Sequence, residues 1–298
     1  MQKLRIAYFG SPDFSAQVLE ELLTDPEFSE TVTKVFTQKD KPTGRSMQLT
    51  KTPVKITAEK HNVLVVDTKP TIKDLEDTDL ALLFAYGDMI PTDLLNSPKY
   101  GFWNIHPSLL PLFRGPSPVA TALINGLTET GVTLMKMDSK LDHGPIIAQK
   151  KIRINENESR EELTARLSKE GFHLFKHTVE IFTSHDYKIQ MQDQVDSKAT
   201  YTKLLTKKDA FISFENLKLK IENSPEELFN LFRGMSPWPG IWTLLRLKAS
   251  EGQASEIEKR LKITDMDLIG GKLVIKKVQL EGKKEVSFEQ FNSAYKLF

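Results

Sequence analysis

Short, wholly apolar runs set between segments of helical periodicity constrain this chain more than any other feature. Leu80-Ala81-Leu82-Leu83-Phe84-Ala85 carries no polar side chain, and neither does Val63-Leu64-Val65-Val66. A strand that meets solvent on one face alternates apolar with polar residues. A strand that is apolar at every position is covered on both faces, as the inner strands of a parallel sheet are. Leu4 to Phe9 and Thr33 to Phe36 read as further strands, and Phe14, Val18 and Leu22, with Leu19 and Leu23 beside them, fall at helical spacing. Alternation of this kind predicts an open α/β sheet. Such sheets hold ligands beyond the carboxyl ends of their strands. The loops after Phe9, after Ala85 and around His106 are therefore the places to look for a site.

Further along, Val132 to Met137 and Ile146 to Ile152 read as two more strands, joined by a loop at Asp138 to Pro145. Ser159 followed three residues later by Glu162 is a capping box, and it starts a helix predicted to end near Ser184. After Tyr187 the chain turns polar and loses periodicity. These changes divide it into a domain at 1–187, a linker at 188–205 and a second domain at 206–298. The second domain carries a short helix at Pro225 to Arg233 and a turn at Ser236-Pro237-Trp238-Pro239-Gly240. Strand-like runs follow at Trp242 to Leu247, Leu261 to Thr264 and Lys272 to Leu280. A small five-stranded β-barrel fits that pattern.

The length of 298 residues is ample for two cores. Cysteine is absent, which removes disulfides, thiolate zinc sites and cysteine nucleophiles together. The formal net charge is +1, so an argument for nucleic-acid binding has to be local. The N-terminus does not resemble a signal peptide, and no apolar run is long enough to span a bilayer. A cytoplasmic protein with no membrane partner is expected.

The densest polar cluster is Trp103-Asn104-Ile105-His106-Pro107-Ser108-Leu109-Leu110-Pro111. Asn104 and His106 are two apart on a strand, so their side chains leave the same face. An amide donor and an imidazole aimed at one point suit a carbonyl oxygen that gains negative charge under attack. Asp142, in the loop between two predicted strands, is placed to orient His106 and to collect a proton. Taken singly, each residue has a plainer account. An asparagine at a strand end caps turns, a histidine before proline packs, and His143 reads as an ordinary loop residue.

Asn104-Ile105-His106, then Ser108-Leu109-Leu110-Pro111, then Leu141-Asp142-His143-Gly144 together resemble the signature of the 10-formyltetrahydrofolate-dependent formyltransferases. Phe9-Gly10-Ser11-Pro12-Asp13-Phe14 is similar to the family's first strand and loop. The segment from Phe36 through Lys39, Lys41, Gly44 and Arg45 to Thr52-Pro53-Val54-Lys55 resembles the inserted basic loop of the members that act on methionyl-tRNA. Tyr201, Pro237-Trp238-Pro239-Gly240 and Trp242 resemble the C-terminal domain of those members. Lys39 and Lys41 stand where proline and arginine are frequent, and His143 and Pro145 fall at variable positions.

The resemblance implies a Rossmann-like α/β formyltransferase domain followed by a small oligonucleotide-binding-like β-barrel. It implies Asn104, His106 and Asp142 as the catalytic trio and 10-formyltetrahydrofolate as co-substrate, with no metal. It implies a folate pocket formed by Ser108, Leu109, Leu110 and Pro111, by Ala85, Tyr86, Gly87, Met89 and Ile90, and by Asp138 and Leu141. Initiator methionyl-tRNA is the implied partner of a monomer. Lys39, Lys41, Arg45, Lys51 and Lys55, opposed in sequence only by Asp40, are the residues expected to meet it. Transfer to a small amine, hydrolysis or oxidation of formyl-folate and a noncatalytic RNA-binding module are the alternatives. The basic loop and the second domain weigh against the first, the lack of an added domain against the second, and the intact trio against the third.

Overall fold

The computed structural model describes residues 4–43, 47–248 and 256–297. The chain divides into two compact units, one comprising Met1–Gly115, Thr130–Ile152 and Thr164–Tyr201, the other Pro116–Glu129, Arg153–Leu163 and Thr202–Phe298.

The first unit is built on a seven-stranded sheet. Its strands in chain order are β1 (Ile6–Phe9), β2 (Val32–Phe36), β5 (Leu64–Val66), β6 (Leu80–Leu83), β7 (Phe102–His106), β8 (Glu129–Lys136) and β9 (Ile146–Arg153). Two short strands, β3 (Lys41–Thr43) and β4 (Gln48–Thr50), pair separately and antiparallel. The spatial order is β5-β2-β1-β6-β7-β8-β9. The first five strands in that order run parallel, and β8 lies antiparallel to β7. The chain winds outward from β1 in one direction through β2 and β5, then returns to β6 on the other side. The loops that leave β1 and β6 therefore diverge at a switch point, which opens a crevice at the strand ends.

Alternation along β1 sorts its side chains onto the two faces. Ile6 and Tyr8 join a core with Val18, Leu19 and Leu22 of α1 (Asp13–Thr24) and Phe175 and Phe182 of α4 (Arg160–Ser184). Ala7 and Phe9 face the opposite way, into a cluster with Phe36, Leu75, Leu83, Leu94 and Phe102. Strand β6 is buried at all four positions, as its apolar run requires. Val63–Val66 differs from its expected place. It is the sheet's edge, and Leu64 is exposed. An apolar run reports that a segment can be buried on both faces, but the position of a strand in the sheet is set by the crossovers.

The second unit carries α3 (Pro118–Ile124), α5 (Phe214–Asn223) and α6 (Pro225–Met235) around a four-stranded antiparallel sheet. Its strands are β10 (Trp242–Lys248), β11 (Glu256–Ile269), β12 (Lys272–Leu280) and β13 (Glu285–Ser287), followed by α7 (Phe288–Tyr295). A small β domain was expected, and four strands form it among the described residues. Strand β11 is far longer than the run Leu261 to Thr264, because it pairs with β10 from Glu256 to Lys262 and with β12 from Leu261 to Ile269. A register shift around Asp265 turns Met266 onto the buried face shared by Leu261 and Ile263. The box at the start of α4 is also present: the Ser159 N–H and hydroxyl both donate to the Glu162 carboxylate, at 2.8 and 2.7 Å. Among the described residues no helix is long and apolar enough to cross a membrane.

Candidate active site

Strand β7 carries Asn104 and His106 on one face, while Trp103 and Ile105 turn into the core that holds α4. Both polar residues are buried, at 6% and 4% exposure. The loop between β8 and β9 brings Asp142 against them. Asn104 Nδ2 donates to Asp142 Oδ1 at 3.4 Å, and His106 Nδ1 lies 3.7 Å from Asp142 Oδ2. The same Oδ2 accepts a 2.7 Å hydrogen bond from the Gly115 backbone N–H. Residues 36 and 38 positions apart from Asp142 in sequence thus converge on one carboxylate, which is side-chain exposed by only 15%.

The imidazole is fixed from behind. His106 Nε2 is 3.0 Å from the carbonyl oxygen of Phe113, which can only accept, so Nε2 carries the proton in that bond. Nδ1 is the nitrogen left to face Asp142. Phe113 itself has φ +61°, and its N–H donates to Thr200 Oγ1 at 2.8 Å. Asp142 is also left-handed, at φ +46°. Each such non-glycine residue costs about 1–3 kcal/mol unless its surroundings over-determine it. Gly144 closes the acidic loop against β8, where an added Cβ would sit 1.9 Å from the Lys136 carbonyl oxygen.

Sequence reasoning did not find Arg114 or Gln194. Arg114, 1% exposed, donates to Gln194 Oε1 from Nε at 3.0 Å and from Nη2 at 2.9 Å. It also reaches Asp196 at 2.9 Å and the Tyr201 hydroxyl at 3.1 Å. Burial pulls the guanidinium pKa down, but the Asp196 and Tyr201 hydrogen bonds outweigh it and the net direction is upward. The Arg114 hydrogen bond holds the Asp196 carboxyl below the usual carboxylate range, with His143 adding to it. His143 is more than a loop residue: Nδ1 is 2.6 Å from Asp138 and Nε2 3.4 Å from Asp196. The signal for Arg114 is its position three residues after Pro111, at the end of the Ser108–Pro111 motif. Gln194 lay in a segment read as linker and carried no local signal.

The other expected site residues fall into distinct settings. Ser108 and Leu110 are buried; the Ser108 hydroxyl donates to the Leu112 carbonyl at 2.6 Å, and Leu110 N–H to Thr133 Oγ1 at 3.1 Å. Leu109, Pro111 and Asp138 are half-buried. On the loop after β6, Ala85 takes φ +53° and Gly87 φ +89°, Tyr86 is buried, and Met89 is 92% exposed. Leu141 on the acidic loop is 61% exposed. Burial, ahead of the nearby Asp88 charge, pushes the Tyr86 phenol up to about 12.

Loops at the strand ends are tied together. Ser11 donates to the Tyr86 carbonyl at 2.7 Å, Gln38 Nε2 to Asp88 at 2.8 Å, and Lys41 Nζ to Gln38 Oε1 at 2.8 Å. A cleft of about 620 Å³ opens there, lined by Gln38, Lys39, Lys41, Asp67, Tyr86 and Met89 among others. Of the expected basic contacts, Lys39 and Lys41 are exposed. Lys51 pairs with Glu59 at 2.7 Å. Lys55 is held between Asp40 and Asp67 at 2.9 and 2.8 Å, and the Asp67 hydrogen bond, then the Asp40 one, raise its pKa. Arg45 lies outside the described residues. No group of three or more His, Asp or Glu side chains among the described residues is arranged to hold a metal ion.

The Formyl transferase family pattern matches residues 4–179. The methionyl-tRNA formyltransferase of Geotalea uraniireducens (strain Rf4) is 34% identical over 100% of this chain and 97% of its own length. That of Geobacter sulfurreducens is 34% identical over 100% and 96%. Among solved structures, the methionyl-tRNA formyltransferase from Clostridium thermocellum superposes with a TM-score of 0.60 at 15% identity, covering 95% of this chain and 99% of that one. An N-formyltransferase from Helicobacter canadensis, solved with folinic acid and dTDP-3-aminofucose, gives 0.60 at 17% identity over 87% and 95%. The fold is therefore shared by a protein named for methionyl-tRNA and one solved with a nucleotide-linked amino sugar.

Proposed function

The chain belongs to the methionyl-tRNA formyltransferase family, and on that premise we propose that it transfers the formyl group of 10-formyltetrahydrofolate to the α-amino group of methionyl-initiator tRNA. The observation that carries the chemistry is the Asp142 carboxylate lodged between the Asn104 amide and the His106 imidazole at the strand ends. The tRNA acceptor rests on the full-length similarity.

Attack of the neutral amine on the formyl carbon turns the carbonyl oxygen into an oxyanion. Asn104 Nδ2 has a second N–H beyond the one given to Asp142, and His106 in its imidazolium form presents Nδ1–H. These are the two donors for that oxygen, and a donor in such a position is worth roughly 3–4 kcal/mol. Asp142 takes the proton released by the amine, directly or through water, and the same proton is passed on to N10, which leaves as a neutral amine when the tetrahedral adduct collapses.

Met89 and Leu141 are large apolar side chains left in solvent on loops at the strand ends, which is the kind of surface a flat heteroaromatic ring covers. In this reading they, with Ile90, Leu109 and Pro111, contact the folate. Ala85, Tyr86, Gly87 and Asp138 shape its pocket, and Ser108 and Leu110 hold the wall from behind. Lys39, Lys41 and Arg45 meet phosphates of the acceptor end. Lys51 joins them on releasing Glu59, and Lys55 anchors the segment through Asp40 and Asp67. Residues 1–187 then carry the catalytic domain, 188–205 the linker and 206–298 the tRNA-binding domain of a cytoplasmic monomer, with 116–129 and 153–163 folding into the second unit and 188–201 into the first.

Formyl transfer by the full chain from 10-formyltetrahydrofolate, offered methionyl-tRNA in parallel with glycinamide ribonucleotide and a nucleotide-linked amino sugar, tests the proposal. Transfer to methionyl-tRNA with little to the small amines is expected. Preference for a small amine would reassign the acceptor, and no transfer to any would remove the activity.

A further inference from the structure

The acidic loop is held by a part of the chain outside the matched formyl transferase segment, which ends at residue 179. Gln194 Nε2 donates to the carbonyl oxygens of Asp142 at 2.9 Å and of Gly144 at 2.8 Å. One amide group therefore grips the loop on either side of His143, at the residue whose backbone is left-handed. An amide NH2 has two hydrogens and here each has its own acceptor.

The orientation of that amide is enforced. Its Oε1 accepts from both Nε and Nη2 of Arg114. Rotated by half a turn, the amide would set its NH2 against the guanidinium and its oxygen against two carbonyls, so the buried cation permits only one arrangement. Arg114 is itself fixed by Asp196 and Tyr201. The following residue, Gly115, donates its N–H straight to the Asp142 carboxylate. The pair Arg114-Gly115 thus reaches Asp142 twice, once at the carboxylate and once, through Gln194, at the backbone.

We propose that Gln194, oriented by Arg114, is a positioning residue that sets the aim of the Asp142 carboxylate. The role in turnover rests on the formyl-transfer reading above; the brace on the loop does not. Freed of Gln194, the loop keeps the Gly115 tie but loses the constraint on the backbone that carries the carboxylate. A misplacement of this kind lowers turnover more than substrate binding.

The test uses the full-length chain carrying Gln194→Ala, Gln194→Glu or Arg114→Lys, with Lys198→Ala as a linker control. For Gln194→Ala, kcat is expected to fall about 10- to 100-fold, with KM for both substrates within about threefold. Gln194→Glu should be no better, because a carboxylate cannot donate to the two carbonyls. Arg114→Lys should show the same selective loss in kcat, since an ammonium cannot engage Oε1 with a fork of two N–H groups. Amide hydrogen exchange over residues 138–145, measured on the same proteins, should speed up about 10-fold in Gln194→Ala and stay unchanged in Lys198→Ala. Unchanged exchange would overturn the brace whether or not the acceptor is tRNA. Faster exchange with kcat within twofold of the active parent would overturn the positioning role. A parent chain that transfers formyl to no acceptor tells against the activity alone, and leaves the brace to be decided by exchange.

Discussion

His106 Nε2 donates to the carbonyl of Phe113 at 3.0 Å, so the nitrogen turned toward Asp142 is Nδ1. That relationship decides which isostere can stand in for the ring. An asparagine amide nitrogen overlays Nδ1, and a glutamine amide nitrogen overlays Nε2. His106→Asn is expected to keep more turnover than His106→Gln, with His106→Ala lowest, reduced by about 100- to 1,000-fold. Steady-state rates, with circular dichroism to establish folding, check the order. Glutamine outperforming asparagine would mean that Nε2 is the working nitrogen.

Asn104→Ala removes one of the two proposed oxyanion donors and also the 3.4 Å contact to Asp142. A loss of about 100- to 1,000-fold in kcat is expected, with folate affinity unchanged. Folate binding measured by fluorescence in parallel separates the two, and an equal loss in both would place Asn104 in the pocket wall.

Gly144→Ala drives a Cβ into the Lys136 carbonyl oxygen, at 1.9 Å, and backbone on both sides leaves little room to yield. A stability loss of about 1–3 kcal/mol is expected, together with a fall in kcat from displacement of the Asp142 loop. Urea unfolding and turnover read the two effects. Wild-type stability with wild-type turnover would show that the loop can shift freely.

The Asp196 carboxyl lies below its ordinary range because the Arg114 hydrogen bond stabilises the ionised form. A depressed acid contributes stability above its unfolded pKa, about 3.9, and loses it as pH falls through the lower folded value. Asp196→Asn is therefore expected to be less stable than the parent near pH 7. The gap should narrow steadily as the pH drops below about 4. Urea midpoints across an acid series measure it, and a gap that did not change with pH would assign the effect to packing.

Lys39 and Lys55 are expected to behave differently although both belong to the basic segment. Lys39→Ala should weaken use of methionyl-tRNA and flatten its salt dependence by about one unit of slope, with folate affinity intact. Arg45→Ala should do the same. Lys55→Ala should leave the salt slope alone and lower stability, by about 1–3 kcal/mol, because Asp40 and Asp67 lose their shared cation. A salt series for Lys55→Ala that matched Lys39→Ala would show that Lys55 leaves its carboxylates for RNA.

Parts of the fold and of the candidate site's geometry were legible in the sequence where the relevant physics is local. The apolar run Leu80 to Ala85 has the composition of an inner strand, and β6 within it is buried throughout and paired on both sides. Asn104 and His106 share a face because strand side chains alternate. Ser159 and Glu162 close their box within a single turn. What remained hidden depends on partners far along the chain. Val63 to Val66 has the composition of an inner strand and lies at the edge, because the order of crossovers is not a property of four residues. Lys55 belongs to a basic segment opposed in sequence only by Asp40, and folding sets Asp67 beside it as well. Gln194 had neither motif nor periodicity to mark it. Its role arises only where residues 114, 142 and 144 arrive together around one amide, and no segment shorter than the folded unit holds all of them.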